Sequence, residues 1–335
     1  MILLLSPAKT LDLTELTTSQ SSLLLLHHTK NNNNNIIPTP QPNKDLLCTT
    51  IPSCNPDLTS DVAKIMKKHA SKGKTHLSKL LGVSATIASV ACQYWTAFAI
   101  EGVQIQKQPA MIGKPAIFTF SGAAYQGLDV NNGLCENRAA MAYLQNSLRI
   151  IDPLYGALRP LDVIQPYRLE MATKKIWDLP DCDEDVKVRP KALANYWKDA
   201  VTLSLSSSLD SMANDENKSK IVVNLASDEY SAAVDASNLP EGTQYIKCVF
   251  RNKGRVIAVH AKKARGMMVR FMAERSIRDI EGIKEFDIDG YKFEESQSSE
   301  NELVFDRQEQ QVIKNKRQSK KDSKPKAKKA RTKKS

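Results

Sequence analysis

The sequence predicts a mixed α/β (α+β) fold, and three observations support this prediction. The chain has 335 residues, of which 41% are apolar, and this is enough to bury a large core. Short apolar runs that end at turn residues alternate with segments of helical periodicity. A glycine-containing turn between two of the apolar runs indicates an antiparallel hairpin, so we expect a mixed sheet with flanking helices.

The first predicted element is a buried strand at Ile2–Leu5, which ends at a Ser-Pro turn. Residues 19–57 then differ in composition, with a run of asparagines at Asn31–Asn35 and recurrent prolines. Because such a composition cannot build a packed core, we predict a disordered insert over these residues.

Helical periodicity begins at Asp61, and two further helices are predicted at Thr75–Leu81 and Ala85–Phe98, with Gly82 between them. The later predicted elements are a strand at 116–120, helices at 138–150 and 191–209, strands at 221–225, 245–250 and 256–261, a helix at 261–277 and a strand at 303–307. The strands at 245–250 and 256–261 form the expected hairpin.

The net charge of +11 belongs to the end of the chain. Residues 312–335 hold 12 of the 48 basic residues and one of the 37 acidic residues. Residues 1–311 therefore hold 36 of each and are formally neutral. We predict one domain over residues 1–311, followed by a disordered basic tail at 312–335.

Two features indicate an intracellular protein. The six cysteines form no CxxC pair and show no zinc-site spacing, so we expect reduced thiols, no metal and no cofactor. No apolar run approaches the roughly 20 residues that span a bilayer, and the N-terminal run is too short for a signal peptide. We expect a cytoplasmic (cytosolic) protein without membrane contacts, and the basic tail leaves a nuclear location open.

Three polar turns follow predicted strands, and ligand sites of α/β sheets lie outside the carboxyl ends of strands. These turns could therefore bring five residues into one cleft: Lys9, Tyr125, Ser227, Asp228 and Glu229. Lys9 and Tyr125 are candidate general bases, and Asp228 and Glu229 complete the catalytic candidates. The alternative is three ordinary polar loops. The common catalytic motifs GxSxG, P-loop, GxGxxG and HExxH are absent from the sequence.

Candidate anion-binding residues lie in two segments. Arg159 and Arg168 belong to LYGALRPLDVIQPYRLEM and suit a phosphate or carboxylate, because a guanidinium pairs bidentately with such groups. Either could instead pair with a nearby acid of the chain. The helix predicted at 261–277 adds four cations beside or opposite its apolar arc: Lys262, Lys263, Arg265 and Arg270. This pattern fits both a nucleic-acid groove and a solvated surface.

The segment KLLGVSATIASVA is similar to a helix-hairpin-helix element. Leu80, Gly82, Val83 and Ala88 fit the pattern, and Ser84 stands where a second glycine is usual. In that element the backbone N–H groups at the start of the second helix hold a DNA phosphate, without reading sequence. The alternative is an ordinary helical turn that ends at Gly82.

The motifs as a set resemble the YaaA family of peroxide stress proteins. The segments that carry the resemblance occur in the family's order: SPAKTLD, AYQGL, LYGALRPLDVIQPYRLEM, VVNLASDEY, AKKARGMMVRF, GYKFEES and ELVFDR. The resemblance covers nearly all of residues 1–17 and 61–310. The resemblance implies an α/β fold with a basic cleft and a helix-hairpin-helix element. It also implies hydrogen peroxide resistance through lowered free iron, and DNA binding.

The resemblance assigns DNA contacts to the hairpin residues Leu80, Gly82, Val83 and Ser84 and to seven cleft cations: Lys9, Arg159, Arg168, Lys262, Lys263, Arg265 and Arg270. We expect a monomer that binds DNA through phosphates and without sequence specificity. Two alternatives stay open. The cleft could belong to an enzyme that acts on a small anionic substrate, or iron could bind to the carboxylates grouped at Asp181, Asp183, Glu184 and Asp185.

Overall fold

The computed structural model describes residues 1–25, 47–100, 113–179, 189–212 and 220–307, and it confirms the mixed α/β fold. The strands are β1 (Ile2–Leu5), β2 (Thr10–Leu11), β3 (Leu24–Leu25), β4 (Leu47–Cys48), β5 (Lys114–Pro115), β6 (Phe120–Ser121), β7 (Leu148–Asp152), β8 (Gly156–Leu158), β9 (Val163–Ile164), β10 (Ile221–Leu225), β11 (Gln244–Asn252), β12 (Tyr291–Phe293) and β13 (Glu302–Arg307).

The helices are α1 (Thr18–Leu23), α2 (Pro56–Ser71), α3 (Lys74–Leu81), α4 (Ala85–Ala97), α5 (Ala116–Thr119), α6 (Ala123–Leu128), α7 (Arg138–Ser147), α8 (Leu193–Met212), α9 (Asp228–Ser231), α10 (Ala258–Arg275) and α11 (Ile280–Lys284). Within the described ranges, none of these helices combines the length and apolar character that crossing a membrane requires.

A seven-stranded sheet, in the order β12-β13-β11-β10-β1-β7-β8, lies at the centre of the fold. The five inner strands run parallel, and the antiparallel pairs β7–β8 and β12–β13 close its two edges. Every residue of β1, β7 and β10 is buried. Parallel strands covered on both faces read as continuous apolar runs, and this is why β1 and β10 were predictable from sequence.

The predicted hairpin at 245–250 and 256–261 is wrong. β11 pairs in parallel with β10 and β13, and the second segment begins α10. The turn itself is present, because Lys253 and Gly254 have positive φ angles of 54° and 75°. Val256 and Ile257 suggested a strand, yet both are exposed and lie at the entry to the helix.

Two other predicted elements differ from the structure. The strand at 116–120 is the single turn α5 followed by the two-residue β6, because a short buried apolar run does not distinguish helix from strand. The helix at 138–150 ends at Ser147, and its last residues belong to β7.

The predicted insert, 19–57, is ordered at both ends. α1 begins with a capping box formed by Thr17 and Gln20. α2 begins at Pro56, because the side chain of Asn55 accepts a hydrogen bond from the backbone N–H of Leu58 (3.0 Å). The middle of the insert, the carboxylates at 181–185 and the basic tail lie outside the described residues.

Helices α2, α3 and α4 pack together, and we call them the three-helix unit (residues 56–97). Trp95 is fully buried and its indole N–H donates to the carbonyl oxygen of Arg168 (3.1 Å). A ring nitrogen of His69 bonds to the carbonyl oxygen of Ile176 (2.7 Å). These contacts fix the three-helix unit against the segment that follows β9.

Helices α6 and α10 touch through their backbones. An added Cβ at Gly127 would lie 2.0 Å from the carbonyl oxygen of Lys263, and one at Gly266 would lie 1.7 Å from that of Ala124. Only glycine permits this approach. Both glycines belong to the motifs singled out above, so part of the pattern in AYQGL and AKKARGMMVRF serves packing.

Candidate functional site

The carboxyl ends of β1 and β10 meet at one edge of the sheet. Ser6 follows β1 and Ser227 follows β10, and their hydroxyl oxygens are 3.4 Å apart. The backbone N–H of Ser227 also donates to the hydroxyl of Ser6 (2.9 Å). The turn at Ser121–Leu128 joins them, because β6 pairs with β2 and Tyr125 bonds to Ser6, so the structure brings all three predicted polar turns together. We call this region, with the residues that surround it, the carboxyl-edge site.

Lys9, Arg168 and Glu170 form an ion-pair network in the carboxyl-edge site. The ammonium of Lys9 contacts the carboxylate of Glu170, which also accepts from Arg168 (3.0 Å). Arg168 donates in addition to the carbonyl oxygen of Lys9 (2.7 Å). Arg168 therefore pairs with an acid of the chain, as the alternative interpretation of the sequence proposed. The Lys9 side chain stays about half exposed (53%).

A second network lies on the far side of the two serines. Lys247 donates to Asp228 (2.7 Å), and this hydrogen bond, with its charge, lowers the pKa of Asp228. Burial lowers the pKa of Arg265, and the nearby Asp228 opposes that shift. Glu229 accepts from the backbone N–H of Ala172 (2.8 Å), so it positions the loop after β9.

Tyr125 lies beneath the serines and donates from its hydroxyl to the carbonyl oxygen of Ser6 (3.3 Å). Burial raises the pKa of Tyr125 well above its usual value. A general base must lose its proton near neutral pH, so this environment favours a positioning role for Tyr125.

Asp152, at the end of β7, is a buried carboxyl group that the sequence reasoning missed. It accepts hydrogen bonds from the backbone N–H groups of Leu154 (2.8 Å) and Tyr155 (2.9 Å) and from the hydroxyl of Tyr167. Burial raises the pKa of Asp152 to about 6, against these hydrogen bonds, which lower it. The sequence feature that could have drawn attention to Asp152 is the dipeptide Asp152-Pro153, because Asp-Pro often begins a turn.

This pKa predicts a pH-dependent stability. Because the pKa is higher in the folded state than in the unfolded state, the folded protein binds more protons between about pH 4 and pH 6. The contribution of Asp152 therefore falls as pH rises through that window, by roughly 3 kcal/mol. The variant Asp152→Asn tests this, because its side-chain oxygen can still accept hydrogen bonds from the backbone N–H groups of Leu154 and Tyr155 but cannot titrate. Measured in urea titrations, the free energy of unfolding of the variant minus that of the wild type should rise by roughly 3 kcal/mol from pH 4 to pH 7. A pH-independent difference would contradict this assignment.

The predicted cleft cations occupy more than one region. Arg159 lines a cleft with Met1, which precedes β1, and so lies at the amino end of the sheet, opposite Lys9. Arg159 also has Asp162 at 3.6 Å. Arg270 donates to the carbonyl oxygens of Asp129 (2.7 Å) and Asn132 (2.8 Å) and to Glu274 (2.8 Å), so it ties α10 to the loop after α6.

Lys262 and Lys263 are exposed on α10, and Lys262 precedes Arg265 by one helical turn. Neither lysine has a carboxylate within 4 Å in the part of the chain that the structure describes. The structure therefore places Lys9, Arg168 and Arg265 toward the carboxyl edge, and it separates them from Arg159.

The turn between α3 and α4 is rigid. Gly82 adopts a left-handed conformation (φ 61°, ψ 37°) that ends α3. Ser78 fixes the turn, because its hydroxyl donates to the carbonyl oxygen of Val83 (2.6 Å). Ser84 is the N-cap of α4 and accepts from the backbone N–H of Ile87 (3.4 Å). That this turn is a DNA-binding helix-hairpin-helix stays a prediction.

The three-helix unit also carries a charge pattern that the sequence reasoning missed. Between Val62 and Ala97 the chain has six lysines and no Asp or Glu: Lys64, Lys67, Lys68, Lys72, Lys74 and Lys79. All are exposed except Lys67, whose ammonium bonds to the carbonyl oxygens of Thr96 (3.1 Å) and Phe98 (2.5 Å) at the end of α4. Within the described ranges, none of the six has a carboxylate within 4 Å.

No group of three or more His, Cys, Asp or Glu side chains arranged to hold a metal occurs in the described ranges. Acidic and basic side chains lie together in the carboxyl-edge site, whereas the charged side chains of the three-helix unit between Val62 and Ala97 are all cationic. The first arrangement suits recognition of a small polar ligand, and the second suits a polyanion.

Comparison with known proteins places the sequence among related chains. It matches the model of a family described as peroxide stress protein YaaA over residues 1–297. It is 37% identical to a UPF0246 protein of Aliivibrio fischeri over 261 residues, 76% of this chain and 90% of the relative. A UPF0246 protein of Alteromonas mediterranea is 34% identical over 253 residues, 75% and 88% of the two chains. One from Francisella tularensis subsp. novicida is 40% identical over 198 residues, 58% and 70%.

Proposed function

The chain belongs to the family of the peroxide stress protein YaaA, and from this premise we propose that it serves peroxide resistance by binding DNA through the three-helix unit. The observation that carries the proposal is the acid-free stretch of that unit between Val62 and Ala97. The stretch from Val62 to Ala97 has six lysines and no Asp or Glu, a local charge of +6, and with Asp57 and Asp61 the whole unit carries +4 in a domain whose residues 1–311 are neutral. A neutral domain with such a surface can hold a polyanion at one place.

The spacing of the lysines supports a continuous contact surface. Lys64, Lys68 and Lys72 recur at every fourth residue, so they share one face of α2 and its C-terminus. Lys74 and Lys79 extend the charge along α3 toward the turn. Lysines in such a row each neutralise a phosphate and release counterions, and this gives binding that depends on salt and not on base sequence.

The turn supplies a second kind of donor. Ser84 caps α4, and the backbone N–H groups of Ala85 and Thr86 in its first turn have no acceptor among the described residues. Helix N-termini of this kind bind phosphate, because the N–H groups and the helix dipole both favour negative charge. A phosphate placed here would lie next to the lysines of α3.

The proposal includes protection of DNA from iron-dependent damage. Family membership supports this part, through the peroxide-stress description that the family carries. A protein spread along DNA through phosphate contacts would exclude loosely bound iron cations from the same phosphates. On this proposal the protein acts as a monomer without a bound cofactor.

Removal of the basic tail gives the first test. We expect a chain that ends at residue 311 to bind duplex DNA at low salt, with an affinity that falls steeply as salt rises, because several lysine–phosphate contacts are broken. Fluorescence anisotropy with a labelled duplex between 50 and 200 mM salt measures this, and a single-stranded oligonucleotide serves as comparison. If the shortened chain does not bind at low salt, the tail is the only DNA contact and the proposal fails.

An enzyme acting on a small anionic substrate in the carboxyl-edge site is the second candidate function. One observation favours it. The Nε–H groups of Arg168 and Arg265 are buried and have no acceptor in the part of the chain that the structure describes. Buried donors are rarely left without a partner, and a bound anion would supply one to each.

Lys9→Ala separates the two candidates. If the carboxyl-edge site holds a substrate, loss of Lys9 should abolish peroxide protection in bacteria that lack their own family member, while DNA affinity stays unchanged. If DNA binding alone protects, the variant should protect as well as the wild type. Lys292→Ala, which removes an exposed lysine from the edge strand β12, is the matched control. Unchanged protection with Lys9→Ala would rule out the enzymatic candidate.

A further inference from the structure

A second concave region lies at the end of the sheet opposite the carboxyl-edge site. A cleft with a volume of about 1250 Å³ opens beside Met1, which precedes β1, and Lys220, which precedes β10. We call it the amino-edge cleft. Its other polar lining comes chiefly from three arginines and a row of serines on α8: Arg149, Arg159, Arg278, Ser204, Ser207, Ser208 and Ser211. None of the six lysines between Val62 and Ala97 lines this cleft.

Arg149 is a buried cation that makes no direct ion pair among the described residues, although the carboxylate of Asp162 is near enough to affect its pKa. Only 7% of the residue is exposed, and no carboxylate of the described ranges lies within 4 Å of its guanidinium. It donates to the carbonyl oxygens of Asn146 (3.1 Å) and Leu148 (2.9 Å) and to the hydroxyl of Ser208 (3.1 Å). Burial, and then the charge of Arg159, lower the pKa of Arg149 to about 10, and the charge of the buried Asp162 opposes this shift. A buried guanidinium held by neutral groups is costly unless an anion completes its surroundings.

Other cations face the same cleft. Arg278 is exposed, its guanidinium lies 5.6 Å from the centre of the Tyr143 ring, and no acid of the described residues pairs with it. The guanidinium of Arg159 lies 3.6 Å from the carboxylate of the buried Asp162. Lys220 pairs with Asp210 at 3.0 Å. The single acidic residue in the lining is Asp279, which is occupied as the N-cap of α11.

A row of serines on α8 lines the cleft with hydroxyl groups that can donate hydrogen bonds to phosphate oxygens. Ser204, Ser207, Ser208 and Ser211 recur at three- and four-residue intervals, so they lie on one face of α8. The hydroxyls of Ser207, Ser208 and Ser211 donate to carbonyl oxygens of α8, and Ser208 also accepts from Arg149. A hydroxyl group can turn from such a bond to donate to an anion. Arginine on one wall and hydroxyl groups on the other suit phosphate oxygens, which accept several hydrogen bonds at once.

We propose that the amino-edge cleft binds a small molecule with several phosphate groups, held by Arg149, Arg159 and Arg278. The volume exceeds that of a single phosphate and lies above the roughly 300–1,000 Å³ of typical ligand pockets, so a whole metabolite fits. The distributed cations call for a ligand with distributed negative charge. Both a nucleoside polyphosphate and an inorganic polyphosphate have this chemistry. This inference does not rest on the DNA-binding proposal, because it uses a different end of the sheet.

Isothermal titration calorimetry of the full chain tests the proposal with tripolyphosphate, ATP and AMP as probes. We expect tripolyphosphate and ATP to bind saturably at one site, and AMP more weakly. Tighter binding of ATP than of tripolyphosphate would identify the nucleoside as part of the ligand, and equal binding would identify the phosphate chain alone. Arg278→Ala, at an exposed position that does not endanger folding, should weaken binding about tenfold. Arg149→Met should weaken it at least as much.

Arg275→Ala is the matched control, because it removes an arginine from the same end of α10 without changing the cleft. It should leave the affinity for tripolyphosphate unchanged, and Arg278→Ala should leave duplex DNA binding unchanged. The proposal is overturned if no probe binds saturably, or if Arg278→Ala and Arg275→Ala have the same effect. It is also overturned if Arg278→Ala weakens duplex binding but not tripolyphosphate binding, since the cleft would then serve nucleic acid.

Discussion

Replacing Gly266 by alanine is expected to destabilise the protein by about 3 kcal/mol or more, at the upper end for an overpacked core. The added Cβ would lie 1.7 Å from the carbonyl oxygen of Ala124 and 2.6 Å from the backbone nitrogen of Leu128. Both contacts are with backbone atoms, so no side chain can turn away to relieve them. Helix α6 would have to move off α10, and Tyr125 and the carboxyl-edge site would move with it.

The expected loss of stability is opposite in sign to the effect that helix propensity alone would give. In an exposed helix, alanine in place of glycine stabilises by about 1 kcal/mol. Urea unfolding followed by circular dichroism measures the change, and failure of the variant to fold agrees with the expectation. Lys263→Ala, at an exposed position of the same helix, should stay within about 0.5 kcal/mol of the wild type. A stable Gly266→Ala protein would mean that the two helices do not touch in this way.

Reversing three charges of the three-helix unit is expected to remove most of the DNA affinity. The variant Lys64→Glu, Lys68→Glu, Lys79→Glu changes three exposed positions, so folding should be preserved. Three lost phosphate contacts should reduce the slope of log affinity against log salt by about 2.7 and weaken binding roughly a hundredfold at low salt. The measurement uses the chain that ends at residue 311, because the basic tail would mask the change.

The control must carry the same change in total charge. Lys191→Glu, Arg255→Glu and Lys292→Glu also replace three exposed cations, and all three lie outside the three-helix unit. We expect this control to keep the salt slope of the wild type and most of its affinity. Equal losses in the two variants would show that overall charge governs binding and that the three-helix unit is not a distinct contact surface.

The fold was predictable from sequence where the composition and the flanking turn residues of a segment favour one type of secondary structure. β1 and β10 are short, wholly apolar and bounded by turn residues, and both were predicted with the correct ends. The apolar segments after residue 244 were ambiguous, because parallel pairing of β11 with distant strands looks the same in sequence as a local hairpin. The helix predicted at 138–150 ran into β7, since sequence periodicity does not show where buried helix becomes buried strand.

The candidate site was predictable only in part, and the reason lies in the pairing of charges. Lys9, Tyr125 and Ser227 were predicted to share one cleft, and their three turns do meet at one edge, because strand order in parallel sheets brings turns together. The partner of a cation is set by tertiary structure. Arg270, for example, binds a loop about 140 residues earlier in the chain. The acid-free run of lysines is a local feature and could have been read directly from the sequence.

Photo-crosslinking tests the central claim most directly, because it reports which residues touch DNA. The full chain would be crosslinked to a duplex by ultraviolet light at moderate salt, digested, and the adducts mapped by mass spectrometry. We predict adducts in α3, the turn and the start of α4, between Lys72 and Ala88. Adducts confined to residues 308–335, or to the segments around Lys9 and Arg168, would contradict the claim that the three-helix unit holds the DNA.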